Sequence, residues 1–274
     1  MTPYHRYRLS VGCGWLLRRI IRYRNRVVQQ NLDRAFPIKS RAWKRDVIKK
    51  LYIHFAAVLL DFVPMYQLDR EDFNKLVGIE NRAALEAAVE EEKGAIILLF
   101  HMGNWEVAAE WFAIQGYPVY ALARRIHNPL VEKVVRQCRE SHGMRLLSVN
   151  TPAMDYIRHL KANRMLLLVA DQDAKHRGIF VDFFGIPSST YRGAAALALR
   201  TGSPLLAVTC LRERNACYKM RIKRISLQSE SSEKQDSIHQ ITQRYTQYFE
   251  EIIRAYPEQY MWFHRRWKTK PPHA

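Results

Sequence analysis

A histidine that closes an apolar run, with a carboxylate five residues further on, is where chemistry is most readily read in this chain. Ala95 to Phe100 are consecutive apolar residues; His101 follows, then Gly103, Asn104, Trp105 and Glu106. A run this short, introduced by Lys93 and Gly94, predicts a strand buried on both faces, as in a parallel sheet. Gly103 and Asn104 supply turn and helix-capping chemistry, so Trp105 to Phe112 is expected to continue as a helix with Glu106 in its first turn. His101 then stands at the carboxyl end of a strand, where open α/β sheets bind their ligands. Glu106, one turn into the next helix, is expected to fold back and hold the imidazole. A general base and its orienter require such a pair.

Two further polar groups follow apolar runs in the same way. Arg124 and Arg125 come after Tyr117–Ala123, and Asp171, Gln172 and Asp173 come after Met165–Ala170. Parallel strands share one carboxyl edge, so these groups are expected to converge with His101 on one pocket. No HExxH or clustered Cys/His pattern suggests zinc, and no metal or cofactor is expected. Asp171 and Asp173 suit either a Mg²⁺ ion or, more simply, loop hydrogen bonds and an arginine partner. The absence of GxGxxG, GxxxxGK[ST] and GxSxG argues against dinucleotide, nucleotide and serine-hydrolase chemistry. With no serine or cysteine nucleophile in register, His101 is best used as a base on a substrate hydroxyl. Direct acyl transfer from an activated ester, without a covalent enzyme intermediate, follows.

The elements that must position these residues alternate along the chain. Strands are expected over 95–100, 117–123, 145–149 and 165–170, with a pair at 204–211 and 218–227. Helices are expected over 104–115, 129–142, 152–162, 191–201 and 237–255, after an amphipathic stretch at 81–92 and a short helix at 71–77. Strands alternating with helices of this length imply βαβ units, hence an α/β fold with a mostly parallel central sheet flanked by helices. Phe180, Phe183 and Phe184 fall in a glycine-punctuated loop. At the start, 9–21 and a Ser40-capped segment reaching Met65 are helical. The organisation expected is a basic helical extension over 1–66, continuous with one α/β domain over 67–274.

The formal charge is +18, but residues 1–50 alone carry a net +12 and residues 260–274 a net +4. The middle of the chain is close to neutral, so the basicity marks the ends, and an anionic surface is the expected partner. Val11, Trp15, Leu16, Leu17, Ile20 and Ile21 interleave with Arg18, Arg19 and Arg22 in the manner of an interfacial helix lying on a membrane; the plainer reading is a core-packing helix with a wet arginine face. No stretch reaches the roughly 18–20 apolar residues of a spanning helix. The block Arg265, Arg266, Trp267 and Lys268 suits either a lipid headgroup surface or a cap on the sheet edge. Cys13, Cys138, Cys210 and Cys217 show no metal or redox spacing and suit a reducing compartment. A basic nucleic-acid-binding module is the rival class, but no RNP, KH or helix-turn-helix signature supports it, and no nucleic-acid partner is expected.

Five blocks in order carry a family resemblance. His101 to Glu106 matches the HxxxxD/E box of glycerolipid-type acyltransferases, and its wording is similar to that of the bacterial lipid A biosynthesis (lauroyl/myristoyl) acyltransferases. Asn31-Leu32-Asp33-Arg34-Ala35-Phe36-Pro37 resembles the family's NL-x-x-AFP stretch, and Arg124 through Asn128-Pro129 its R-x-x-x-NP segment. Asp171-Gln172-Asp173 through Gly178 and Phe180 to Gly185 resembles its DQD…G-x-FV-x-FFG block. Trp262 through His264-Arg265-Arg266-Trp267-Lys268 resembles its closing W-x-HRRWK. The resemblance covers nearly the whole chain. It implies a glycerolipid-acyltransferase-like fold and O-acyl transfer from acyl carrier protein or coenzyme A thioesters to a hydroxyl of a lipid A precursor, with another phospho-, glyco- or aminolipid as the alternative acceptor. His101 and Glu106 take the catalytic positions. The oxyanion falls to the first amides of helix 104–115, beside Asn104, and to Arg124. Arg124, Arg177 and Arg192 are expected to meet phosphates, Arg125 standing where the family carries proline and competing with Arg124 for the inward position. Phe180, Phe183 and Phe184 either line an acyl groove or belong to the core. Residues 9–23 stand where members carry a longer hydrophobic segment, so peripheral attachment to the cytoplasmic face of the inner membrane is expected rather than a spanning anchor.

Overall fold

A computed structural model of the chain describes residues 3–213, 216–229 and 233–272. Three helices come first, α1 (Pro3–Arg19), α2 (Asn25–Ala35) and α3 (Arg41–Met65), then α4 (Arg70–Leu76), β1 (Val77–Glu80) and α5 (Arg82–Glu90). The alternating part runs β2 (Ala95–Leu99), α6 (Trp105–Ile114), β3 (Val119–Ala123), α7 (Pro129–Glu140), β4 (Arg145–Ser148), α8 (Ala153–Lys161) and β5 (Met165–Val169). A hairpin of β6 (Ile179–Phe183) and β7 (Ile186–Thr190) precedes α9 (Gly193–Thr201), β8 (Leu205–Arg212), β9 (Tyr218–Ile225) and α10 (Lys234–Ala255).

Seven strands form the central sheet in the order β1-β9-β8-β2-β5-β3-β4. The strands from β8 to β4 are mutually parallel, while β9 runs antiparallel to β8 and carries β1 parallel to itself. The two central strands explain why their sequences are apolar throughout. Along β2, Ile96 and Leu98, continued by Phe100, face a core shared with α2, α3, α9 and α10, whereas Ala95, Ile97 and Leu99 face one built with α5 and α6. Side chains alternate across a pleated strand, so a strand covered by helices on both sides has no position for a polar residue. β5 repeats the pattern beside it, in the register Ala95↔Met165 to Leu99↔Val169.

Besides the unexpected strand β1, two local features depart from the sequence expectation. The Phe180–Gly185 stretch is the β6–β7 hairpin, with Phe184 (φ 60°) and Gly185 (φ 73°) left-handed at its turn. The arginine-bearing block near the end is largely interior: Arg266 and Trp267 are buried while Arg265 and Lys268 are exposed. The Arg266 guanidinium donates to the Ser189 carbonyl at 2.6 Å and the Thr190 hydroxyl at 2.5 Å, capping β7. That block is a structural cap rather than a headgroup surface, because an arginine so enclosed needs fixed acceptors.

The turn after β2 is held closely on several sides. Gly103 (φ 59°) lies against β8, where a Cβ would meet the Cys210 carbonyl oxygen at 2.0 Å. Its N–H donates to the Gln259 carbonyl, the Asn104 N–H to the Cys210 carbonyl, and the Met261 N–H to the His101 carbonyl. Gly103→Ala therefore combines left-handed strain with a backbone clash, and is expected to cost about 3 kcal/mol or more. Thermal unfolding should register it as a drop in Tm on the order of 10 °C.

Candidate active site

The β2–β5 register dictates the central contact. His101 lies two residues beyond Leu99 and Asp171 two beyond Val169, so the paired strands deliver both side chains to the same level of the carboxyl edge. The Nδ1 of His101 sits 2.7 Å from one Asp171 oxygen, and the His101 N–H donates to the other at 3.1 Å. An ionised carboxylate only accepts, so Nδ1 carries the proton and Nε2 is left as the basic lone pair. The expectation that Glu106 holds the imidazole is corrected here: the neighbouring strand supplies the carboxylate at Nδ1. The imidazole is edge-on to the indole of Trp105, with ring centres 4.9 Å apart.

Glu106 is engaged elsewhere. Arg139, from α7, grips its carboxylate with two hydrogen bonds of 3.0 and 2.6 Å, and the Trp105 indole N–H (3.0 Å) and Tyr66 hydroxyl (3.2 Å) complete the shell. Starting at the first turn of α6, the Glu106 side chain faces α3 and α7, which is the physical reason it is captured there. Its charge still reaches the imidazole. Burial opposes a charged His101, but the charge and hydrogen bond of Asp171, with Glu106 behind them, more than offset it and raise the pKa above the ordinary 6.5. Burial likewise works against ionised Asp171, yet His101 and the nearby Arg266 hold its carboxyl below the usual range. Burial and the Glu106 charge push the neighbouring Glu110 up to about 9, so it is neutral at physiological pH.

Removing Arg139 leaves the mostly buried Glu106 carboxylate without its counter-charge. Arg139→Ala is expected to destabilise the fold by about 3–5 kcal/mol, with Arg139→Lys recovering only part of that because a single ammonium does not reproduce the two-pronged grip. Equilibrium denaturation of the three proteins measures both differences.

The other sequence candidates divide by position. Arg124 and Arg125 are exposed and line a cavity of ≈ 390 Å³ at the ends of β3 and β4, together with Arg136, Ser148 and the same Arg139 that holds Glu106. That shared arginine joins the basic cavity to Glu106, but His101 and Asp171 are not among its lining residues, so the strand-end groups do not meet in one pocket as expected. Asn104 is buried and spent on structure, its Oδ1 capping the Val107 N–H at 3.2 Å and its Nδ2 donating to the Tyr218 hydroxyl. Gly103, Asn104 and Val107 already donate their backbone N–H groups, which leaves Trp105 and Glu106 as the amides of this turn to consider for an oxyanion. Asp173 ties down the C-terminal block: its N–H donates to His264 Nε2 at 2.9 Å and its carboxylate accepts from Thr269 at 2.9 Å. Gln172 lies half-buried between the two aspartates. Arg177 and Arg192 are exposed, on the far side of the DQD loop in sequence. Phe184 packs among Phe36, Trp262 and Trp267, and Phe183 stacks on Trp267, so both belong to the aromatic core; half-buried Phe180 lies on β6. No cluster of three or more potential metal ligands occurs among the described residues.

Several supporting residues have no local sequence signal. His54 of α3 bonds the Gly103 carbonyl at 3.0 Å, and burial depresses its pKa to about 4, so it donates as a neutral ring. Asn31 donates to the carbonyls of Trp262 and His264, fastening the NL-x-x-AFP stretch to the closing block. Asp61 of α3 is buried between Arg6 (3.1 Å) and Arg212 (3.3 Å) and accepts from Tyr218 at 2.6 Å, which binds α1 to the sheet. Gly14 lets the two helices touch, since a Cβ there would meet the Ile53 backbone at 2.8 Å. Trp15 and Leu16 of α1, and Ile20 and Ile21 just past its end, are exposed beside Arg19 and Arg22.

Residues 1–269 match the family model described as bacterial lipid A biosynthesis acyltransferase. The chain is 26% identical over 273 residues to the lipid A biosynthesis lauroyltransferase of Escherichia coli K12, covering 97% of this chain and 86% of the relative. It is 24% identical over 268 residues to the lipid A biosynthesis palmitoleoyltransferase of the same organism, covering 96% and 85%. A phosphatidylinositol mannoside acyltransferase of Mycolicibacterium smegmatis is 29% identical over 245 residues, covering 88% and 78%.

Proposed function

The chain belongs to the bacterial lipid A biosynthesis acyltransferase family and is an O-acyltransferase, and on that premise we propose that it moves a fatty acyl chain from an acyl carrier protein or coenzyme A thioester onto a hydroxyl of a lipid A precursor. The observation that carries the reading is His101 held through Nδ1 by Asp171, with a four-arginine cavity joined to Glu106 through Arg139. Nε2 takes the proton of the acceptor hydroxyl as its oxygen attacks the thioester carbonyl. The C–S bond then breaks, and the thiol leaves with the proton returned by the imidazolium. The acceptor hydroxyl attacks the thioester directly, and the scheme needs no acyl-enzyme. The tetrahedral oxyanion falls to the amides of Trp105 and Glu106 at the amino end of α6, where the helix dipole favours negative charge, and to Arg124. Arg124, Arg125 and Arg136 take the phosphates of the acceptor or of the donor's pantetheine arm.

A second acceptor class is favoured by one observation: a relative of comparable similarity is a phosphatidylinositol mannoside acyltransferase. The same base and the same cationic cavity serve a phosphorylated mannolipid. Incubation with acyl-carrier-protein and acyl-coenzyme A donors against a lipid A precursor, a phosphatidylinositol mannoside and a lysophosphatidic acid separates the readings. Transfer to the lipid A precursor at the highest kcat/KM is expected; preference for the mannoside assigns the second class, and transfer to none overturns the acyltransferase reading.

Membrane attachment belongs to the same proposal. No described helix is long and apolar enough to cross a membrane. The exposed Trp15, Ile20 and Ile21 beside Arg18, Arg19 and Arg22 suit the interface of an anionic bilayer, with the chain lying on the cytoplasmic face of the inner membrane. Release from anionic vesicles by about 0.5 M salt is expected to be partial for the native chain and complete for Trp15→Ala/Ile20→Ala, because salt screens the arginines but not the buried apolar area. Full release of both would limit attachment to electrostatics.

A further inference from the structure

The opposite edge of the sheet holds a second cationic cavity that the acyl-transfer chemistry does not use. It has a volume of ≈ 370 Å³ and sits at the amino ends of β3, β4 and β5, lined by Tyr117, Tyr120, His142, Arg145 and Arg164. Arg139 and Arg212 are neutralised by carboxylates, Glu106 and Asp61 respectively. Arg145 and Arg164 are held in place by neutral groups instead. Arg145 donates to the Tyr120 hydroxyl at 3.3 Å, and Arg164 to His159 Nδ1 at 2.9 Å. Both guanidinium groups also lie against the Tyr120 ring, 5.8 and 5.0 Å from its centre. Neither forms an ion pair with a carboxylate among the described residues, and the nearby Asp155 is already bonded to Arg158 at 2.7 Å.

His142 adds a third donor. Its Nδ1 is hydrogen-bonded to the carboxyl of Glu110, a fully buried side chain whose other oxygen has no partner. Glu110, neutral here, donates its O–H to Nδ1, which fixes the proton of the ring on Nε2 and makes Nε2–H the free donor of His142, a residue that lines the cavity. Two oriented guanidinium groups and an imidazole N–H around one concavity form a receptor for a group with several acceptor oxygens and two negative charges.

We propose that this cavity binds a small phosphate-bearing anion through Arg145, Arg164 and His142, as a site distinct from the catalytic edge. Calorimetric titration with inorganic pyrophosphate of the full chain carrying Arg124→Ala/Arg136→Ala, which removes phosphate-binding arginines from the opposite edge, tests it. Saturable binding is expected in that background, weakened at least tenfold by adding Arg145→Ala/Arg164→Ala or the charge reversal Arg145→Glu, whose exposed position at the start of β4 makes it tolerant of substitution. No saturable binding in that background, binding that survives both added changes, or binding matched by sodium chloride of equal ionic strength overturns the proposal. Co-sedimentation with vesicles containing phosphatidic acid separates the two sources of such a group: a loss in Arg145→Glu assigns a lipid headgroup, and no change assigns a free anion.

Discussion

Replacing His101 with alanine is expected to lower kcat for acyl transfer by on the order of 10²–10⁴, the usual contribution of a positioned general base. The loss should appear in kcat with little change in KM for the thioester, because the imidazole acts on the proton in flight rather than on ground-state binding. The fold should survive. Asp171 loses the imidazole but keeps Arg266 and Tyr260 as neighbours, and the His101 backbone N–H remains in place to donate to it. Single-turnover transfer to a lipid acceptor, measured beside the thermal unfolding curve, separates lost chemistry from lost structure. A variant that unfolds at the native temperature and transfers at the native rate would remove His101 from the mechanism.

Asp171→Asn carries the second large expected effect, again on the order of 10²–10⁴ in kcat. The magnitude follows from Ser-His-Asp enzymes, in which the same change costs about 10⁴. An amide in place of the carboxylate reverses the logic of the contact. Its NH₂ donates to Nδ1 and favours the tautomer with the proton on Nε2, which removes the lone pair that accepts the substrate proton. Its carbonyl still accepts from the His101 N–H. Glu106→Gln should cost less than Asp171→Asn, because Glu106 reaches His101 only through its charge while Asp171 holds the ring by a hydrogen bond. The ordering of the two kcat values is the measurement, and the reverse order would return the orienting role to Glu106.

The sheet is legible in the chain because its two central strands contain nothing but apolar residues and end in polar ones. Met165–Val169 and Ala95–Leu99 announce themselves as doubly covered strands, and Gly103 with Asn104 announces the turn and cap between β2 and α6. The β6–β7 hairpin is not legible: its aromatics and glycines read as a loop, and its pairing is fixed by packing on α10 and the closing tryptophans. The site is legible in its types and only partly in its pairings. His101 and Asp171 stand at equal distances past two runs of equal length, so the sequence contains the clue to their contact, but only once β2 and β5 are known to be neighbours. Glu106 is nearer in sequence and draws the assignment, whereas the helix turns it toward Arg139. Nothing local marks Arg139, Tyr66 or His54 as members of the site, because Arg139 arrives from α7, and His54 and Tyr66 from α3 and its C-terminal cap, through tertiary packing.

With His101 as the proposed base, its contact with Asp171 also sets the expected response to pH. A general base works in its neutral form, so activity falls as pH drops through its pKa, and in the native protein that midpoint lies above 6.5 because Asp171 and Glu106 favour the charged ring over the opposing effect of burial. Without the Asp171 charge, burial depresses the pKa with less to oppose it. The pH dependence of kcat/KM for acyl transfer, compared between the native chain and Asp171→Asn over about pH 5 to 9, tests this most directly. The account predicts that the acid-side midpoint stands above 6.5 in the native enzyme and moves to lower pH in the variant, alongside the fall in maximal rate. A midpoint that stays where it is, with the rate unchanged, would contradict the assignment of His101 and Asp171 as the catalytic pair.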